Sequence, residues 1–266
     1  MLTGVKNTLK FVFRSLKYNI KACMEYKKSF LIQSIFMFVN NGFFIVFWLV
    51  VFNLNNGSIN GVGLKDVLFL WAISPLAFGI SFFFFGGGED VNKHIISGSM
   101  DTYLLQPKSL ITNMLVSRCI FSAFGDILYG LVIGIFAVEN IFQYLGLIGF
   151  GILGSIFFTC TNLIVRMFSI WVGDVENIAH VYEITGLVTL TNYPEQIFGK
   201  AVKFLMYTVV PAMYVTHLPI RLLKSFDTNT LLLILLAAGI FILLTILMMK
   251  IVVKKYESGN SMALRG

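Results

Sequence analysis

Residues 231–253 read LLLILLAAGIFILLTILMMKIVV, an apolar run broken by one charge, Lys250. A helix needs about 20 mostly apolar residues to cross the hydrocarbon core of a bilayer, so this stretch reads as a membrane span. The rest of the chain agrees. Of its 266 residues 57% are hydrophobic and 12% charged, Phe alone contributes 27, and the mean hydropathy is +0.84. A soluble domain carries about 25% charged residues to cover its surface. The same apolar fraction excludes a disordered chain. Cys23, Cys119 and Cys160 are odd in number and far apart, which excludes a disulfide scaffold and a CxxC metal or redox site. The composition is that of an integral membrane protein.

The net charge of +7 is not the footprint of a nucleic-acid partner, because of where the charges lie. Lys6, Lys10, Arg14, Lys17, Lys21, Lys27 and Lys28 crowd the start, and Lys250, Lys254, Lys255 and Arg265 crowd the end. Basic residues flanking apolar spans mark the cytoplasmic side. Both termini are therefore expected in the cytoplasm, which requires an even number of crossings. Residues 5–28 are too long and charged a stretch for a signal peptide, and no small-residue cleavage site follows. Their charges recur every three or four residues, painting one polar stripe on a helix with Leu9, Val12, Phe13, Leu16, Ile20 and Met24 elsewhere. Such a helix lies in the membrane interface against lipid headgroups; docking on a partner is the alternative.

Working back from the last span, further spans are expected near 30–52, 67–85, 110–138 and 142–171. Between the first two lies a polar outer loop, 53–63, in which Asn56-Gly57-Ser58 fits a glycosylation sequon that arises often by chance. Gly86-Gly87-Gly88 closes the second span, a cytoplasmic segment 89–109 follows, and Glu139-Asn140 make a tight outer turn. One more crossing is needed by parity, from either 174–191 or 201–220. We assign it to 174–191, leaving 195–222 as a re-entrant hairpin on the outer side, broken by Pro211 and Pro219 after Pro194. The expected fold is an all-α polytopic membrane protein: an interfacial helix over 1–28, then one six-span domain over 29–266.

Three stretches, in this order, carry a resemblance. They are Glu25-Tyr26-Lys27-Lys28-Ser29-Phe30, the run Ile96 to Pro107 (ISGSMDTYLLQP), and Tyr193-Pro194 with Pro211 and Pro219 downstream. The second is similar to a cytoplasmic signature I-x-x-G-x-x-D-x-x-L-x-x-P, and the closing Lys255-Tyr256-Glu257-Ser258 also fits. The chain thus resembles an ABC-2 type transporter permease over nearly its whole length, most of all the branch whose permeases come in pairs beside one ATPase. The resemblance implies a permease that forms half of an export pathway, with ATP and Mg bound by separate ATPase subunits. It also implies a second permease chain, a heterodimer before a homodimer, in a bacterial cell membrane. No GxxxxGK[ST] occurs in the chain. Gly149-Phe150-Gly151-Ile152-Leu153-Gly154 matches GxGxxG, but it lies inside an apolar span, where small residues serve helix packing.

Residues 89–109 are the leading functional segment. Glu89, Asp90, Lys93 and His94 open it, and Ile95, Ile96, Met100, Tyr103 and Leu104 have the spacing of anchors that fill a partner's groove. The resemblance makes this a coupling helix that passes ATP-driven motion to the spans, with Gly98 and Asp101 among its working residues. Tyr193, Pro194 and Pro211 would belong to an outer gate.

Within the spans, Asp126 is either a cavity or inter-helix contact, or a protonated structural acid. Arg166 is expected to snorkel to the headgroups. Glu176, His180 and Glu183, spaced four and three, share a helical face. That face is expected to line a wet substrate entrance; a metal site would need more ligands than neighbouring spans offer, so none is expected. No cofactor is expected in this chain. The favoured cargo is a hydrophobic or amphipathic molecule: a drug, an antimicrobial peptide or a lipid-like compound. The alternatives are a membrane-embedded enzyme acting on a lipid-linked substrate and a non-catalytic receptor. The enzyme would carry clustered Asp, His or Arg in its cytoplasmic loops, where Glu89-Asp90, His94 and Asp101 are the only such group; the receptor needs no coupling helix.

Overall fold

The structure is a computed structural model that describes residues 2–55, 58–59 and 61–256. Asn56 and Gly57 of the sequon match, and Glu257-Ser258 of the closing motif, lie outside the described residues. The chain begins with α1 (Leu2–Glu25), whose Phe13 and Leu9 stay exposed on one side. Tyr26 leaves helical backbone at φ −102°, and α2 (Lys27–Leu54) sets off in a new direction. A two-residue antiparallel ladder, Ser58–Ile59 with Val62–Gly63, turns through Gly61 at φ 78°. It leads into α3 (Leu64–Phe85).

The short elements α4 (Val91–Ser97), α5 (Asp101–Leu104) and α6 (Leu110–Leu115) follow, and then α7 (Ala123–Ala137) and α8 (Ile141–Met167). After α9 (Ser169–Val172) come α10 (Glu176–Val181), a π-helical turn at Tyr182–Val188 and α11 (Thr189–Asn192). The chain continues through α12 (Lys200–Tyr207), a second π-helical turn at Met213–His217, α13 (Leu218–Lys224) and α14 (Thr228–Lys255).

The hub is α3. In its most apolar stretch 72% of residues are buried, against 11% for α2, so α2 is an outer helix and α3 the one the others pack around. Small residues set the spacing. A Cβ on Gly130 of α7 would lie 2.7 Å from the Ala72 carbonyl oxygen, and one on Gly79 of α3 would lie 2.7 Å from Ile127. Helices joined by such contacts meet backbone to backbone, the usual way to gain packing where lipid removes the hydrophobic drive. Gly151 and Gly154 bring α8 against Leu76 and Ala77 on another side of α3.

Among the described residues, four helical runs are long and apolar enough to cross a membrane: Lys27–Leu54, Leu64–Ser97, Ile141–Val172 and Thr228–Lys255. The chain is therefore an all-α, multi-pass membrane protein. Two of the expected spans differ from their reading. The stretch 110–138 is not one helix: it breaks between α6 and α7, where the Ile120 amide donates to the Phe82 carbonyl at the end of α3 (3.2 Å). Arg118, inside that break, reaches Asp90 at 3.1 Å; a helix continuous with α7 would hold it in the apolar layer. The stretch 174–191 is a jointed helix rather than a uniform one, its middle turns wound as a π-helix. Residues 195–222 form two helical arms either side of a break at residues 208–211, and α12 has 8 residues, about 12 Å long.

Candidate coupling site

Gly86-Gly87-Gly88 fixes the start of the site. These residues form a buried 3-10 turn pressed against 114–120, and a Cβ on Gly87 would collide with the Met114 carbonyl and the Ser117 hydroxyl. At Gly87 only glycine lets the chain pass this close to 114–117. The turn presents Glu89 to buried Arg166 and Asp90 to the more exposed Arg118 and, at 3.7 Å, Lys93.

Glu89 meets Arg166 of α8. The Arg166 guanidinium donates from Nη2 to Glu89 Oε1 at 2.7 Å, from Nη1 to Glu183 Oε1 at 2.9 Å, and from Nε to the Glu89 carbonyl at 3.1 Å. Glu176 lies 3.8 Å away. Asn162, one helical turn before Arg166, donates to Glu89 at 3.3 Å and also to Glu183. Arg166 is 1% exposed. The expected snorkel to the headgroups is corrected here: the guanidinium points into the protein because three carboxylates converge on it. A charge held in such surroundings persists only when paired and hydrogen-bonded.

The segment after the turn sits on the same ground. Val91, Ile95 and Met100 are buried with Met114, Met167, Ile170, Met249 and Val252. Ile95 and Met100 therefore seat the segment on its own protein rather than facing outward. Gly98, at φ 76°, closes α4 in the left-handed conformation that favours glycine. His94 Nδ1 lies 2.8 Å from Ser99 Oγ, with its ring edge-on to Tyr103. Tyr256, just past α14, donates its hydroxyl to the Gly98 carbonyl. Burial first, and then the nearby Asp101 carboxylate, which it also hydrogen-bonds, push that phenol upward. The apolar side chains left outward are Leu104, 40% exposed, and Leu105, 87% exposed.

Other sequence candidates fall into separate places. Glu176 and Glu183 join the Arg166 cluster, while His180 is exposed. Asp126, 3% exposed, lies deeper in the apolar layer, where Asn41 donates to its Oδ1 at 2.7 Å. Tyr193 packs against Phe44 and Trp48. Pro194 opens the short turn Glu195–Ile197, and Pro211 is buried at the break between the two arms after 195. The Tyr182 hydroxyl donates to the Val209 carbonyl at that break, 2.7 Å away.

Sequence reasoning misplaced Arg166 and gave no site role to Asn162, Tyr256 or Leu105. One signal for the first two was present: Asn162 and Arg166 are four apart in an otherwise apolar helix, and so share a face that demands a counter-ion. The partner, Glu89, could not be chosen without the fold.

No curated protein and no solved structure matches the chain. The family described as "ABC-2 family transporter protein" matches residues 38–260, which takes in every helix from the middle of α2 to α14. The matched region includes the glycine turn, the seated segment 91–105 and the buried Arg166 cluster. By that match over most of its length, the chain belongs to the ABC-2 transporter family, whose members are membrane components of transporters rather than enzymes.

Proposed function

We propose that this chain is the permease subunit of an ATP-driven exporter. It forms half of the pathway for a hydrophobic or amphipathic substrate and is driven by ATPase subunits on separate chains, which hold the ATP and Mg. A second permease completes the pathway, a different chain in preference to a copy of this one. The setting is the bacterial cell membrane with both termini cytoplasmic. Four long helices, α7 and the jointed stretch 176–192 make six crossings, α1 rides in the inner interface, and 195–222 dips into the outer side without crossing.

One observation carries the reading: the seated segment 91–105 joins an exposed apolar tip to the interior. Leu104 and Leu105 offer a contact for a partner's groove. Behind them Ile95 and Met100 bear on α8 and α14, and Glu89 bears on Arg166. Motion imposed at the tip therefore has a packed, ion-paired route to two spans, α8 and α14. In this scheme Glu89, Asp90, His94, Ile95, Gly98, Met100 and Asp101 position the tip, while Tyr103 and Leu104 face the ATPase. Tyr193, Pro194 and Pro211 serve as an outer gate.

The test is to purify the permease from its own host with Tyr103→Ala, Asp101→Arg or Leu105→Asp. We expect normal insertion, with either loss of a co-purifying P-loop ATPase or ATP turnover without export. Unchanged transport in all three variants would overturn the coupling assignment.

A further inference from the structure

The Arg166 cluster leaves one buried acid of the membrane layer unexplained. Asp126 Oδ1 accepts from Asn41, but Oδ2 is buried with no partner among the described residues. A carboxylate at such a depth is costly, and its usual compensation is a cation or a water-filled cavity. Here the cavity exists. A pocket of about 80 Å³ is lined by Asp126, Asn41, Ser74, Phe78 and Asn192, and Asn192 Oδ1 is likewise buried without a partner.

This small pocket is the deep end of a larger one. Asn41, Ile184, Val188 and Asn192 also line a groove of about 470 Å³ between α2 and the 184–193 stretch. That volume lies within the about 300–1,000 Å³ of small-molecule sites. Its walls include Phe43, Phe44 and Phe47. The two ends differ in chemistry. The deep end offers buried acceptors in need of a donor, and the outer end offers aromatic and aliphatic surface. Asn192 is held in register because its backbone carbonyl accepts from Trp71 Nε1 at 3.1 Å, while neighbouring Thr191 Oγ1 lies 2.7 Å from Ser74 Oγ.

We propose that this pocket binds the protonated amine of an amphipathic ligand, with Asp126 as its counter-ion and the aromatic groove holding its apolar tail. An ammonium carrying N–H groups supplies both the charge that Asp126 lacks and donors for Asp126 Oδ2 and Asn192 Oδ1. A quaternary ammonium supplies only the charge, and an alcohol only a donor. The proposal deepens the export reading, on which it rests only in treating the ligand as cargo.

The experiment measures binding of radiolabelled dodecylammonium to the full-length permease complex in nanodiscs of zwitterionic lipid, with empty discs as background. No ATP is added, so failure here leaves the coupling assignment to its own test. We expect saturable binding, displaced by unlabelled dodecylammonium and at least about tenfold less well by dodecyltrimethylammonium or dodecanol. Asp126→Asn, which keeps the shape and the Asn41 contact, should weaken binding by at least about tenfold. Phe43→Ala, on the groove wall, should weaken it less. Binding no greater than to empty discs, equal displacement by dodecanol, or wild-type affinity in folded Asp126→Asn would each overturn the proposal. The comparison of the three competitors uses the unmodified protein, so it stands even where a variant fails to fold.

Discussion

Arg166 on α8 donates 2.7 Å to Glu89 and 2.9 Å to Glu183, so one guanidinium joins the end of α3 to the stretch that follows α9. The cluster holds three carboxylates and one cation, with Glu176 the most distant. The two ends of this arrangement are unequal. Removing Arg166 strands buried acids, whereas removing one acid's charge leaves the guanidinium paired. Arg166→Leu should therefore cost about 3–5 kcal/mol, seen as a large drop in the unfolding temperature of the purified protein. Glu183→Gln should cost far less, since its amide oxygen still accepts from Arg166. Equal losses in both would mean that the cluster is held by packing instead of charge.

Tyr256 ties the end of the last span to Gly98, and its removal tests that clasp alone. Tyr256→Phe keeps the ring and loses the donated bond, worth about 0.5–1.5 kcal/mol. Amides of 98–104 should then exchange with deuterium several-fold faster, while those of α8 stay unchanged. The pH dependence has a defined sign. Burial and Asp101 raise the phenol above its ordinary value of 10.0, so the clasp is fully present below pH 10 and is lost only as pH rises through the raised value. A spin-label distance between the segment and α14 should stay constant from pH 7 to 10 and lengthen above it.

Close packing on α3 predicts a steric result. Gly130→Val puts a branched side chain where a Cβ is already 2.7 Å from Ala72 oxygen. Backbone cannot yield as a side-chain tip does, and overpacking of this kind costs about 1–3 kcal/mol. The same substitution at Gly149, whose Cβ would meet nothing within 4 Å, should change the unfolding temperature little. The pair of variants separates sterics from a general intolerance of valine in these helices.

His180 shares a spacing with Glu176 and Glu183 but not their surroundings. It is exposed and lies outside the Arg166 cluster. His180→Ala should alter stability by no more than about 0.5 kcal/mol, as at ordinary surface positions. Transport should stay within about twofold and be insensitive to a chelator of transition metals. Loss of activity with either treatment would reopen a metal role for this face.

The long helices were legible because hydropathy is additive along a chain: Leu231 to Val253 needs no partner to declare itself a span. The break at 116–122 was not legible, since it depends on Ile120 bonding to Phe82 and on Arg118 reaching Asp90, contacts between distant residues. The segment 89–109 was visible as a polar stretch with apolar spacing. Which of its apolar residues face inward was not, because helical period places residues relative to one another but not relative to α8 and α14. Ile95 and Met100 turned inward, and Leu105, adjacent to the chosen anchors, turned out. Arg166 shows the same limit from the other side. Its position near a helix end permits a snorkelling arginine or an ion-paired one, and only the position of Glu89 decides.

The order of the Arg166 partners along the chain bears on how the protein is made. Glu89 precedes Arg166 by 77 residues and Glu183 follows it by 17. Synthesis runs from the N-terminus at about 5–20 residues per second, so Glu89 has left the ribosome well before Arg166 does. Glu183 follows within about 1–3 s at that pace. The arginine of α8 thus enters the bilayer with a counter-charge already waiting on an earlier helix. A variant lacking Glu89 exposes it, during biogenesis, as a lone cation until the later acid emerges.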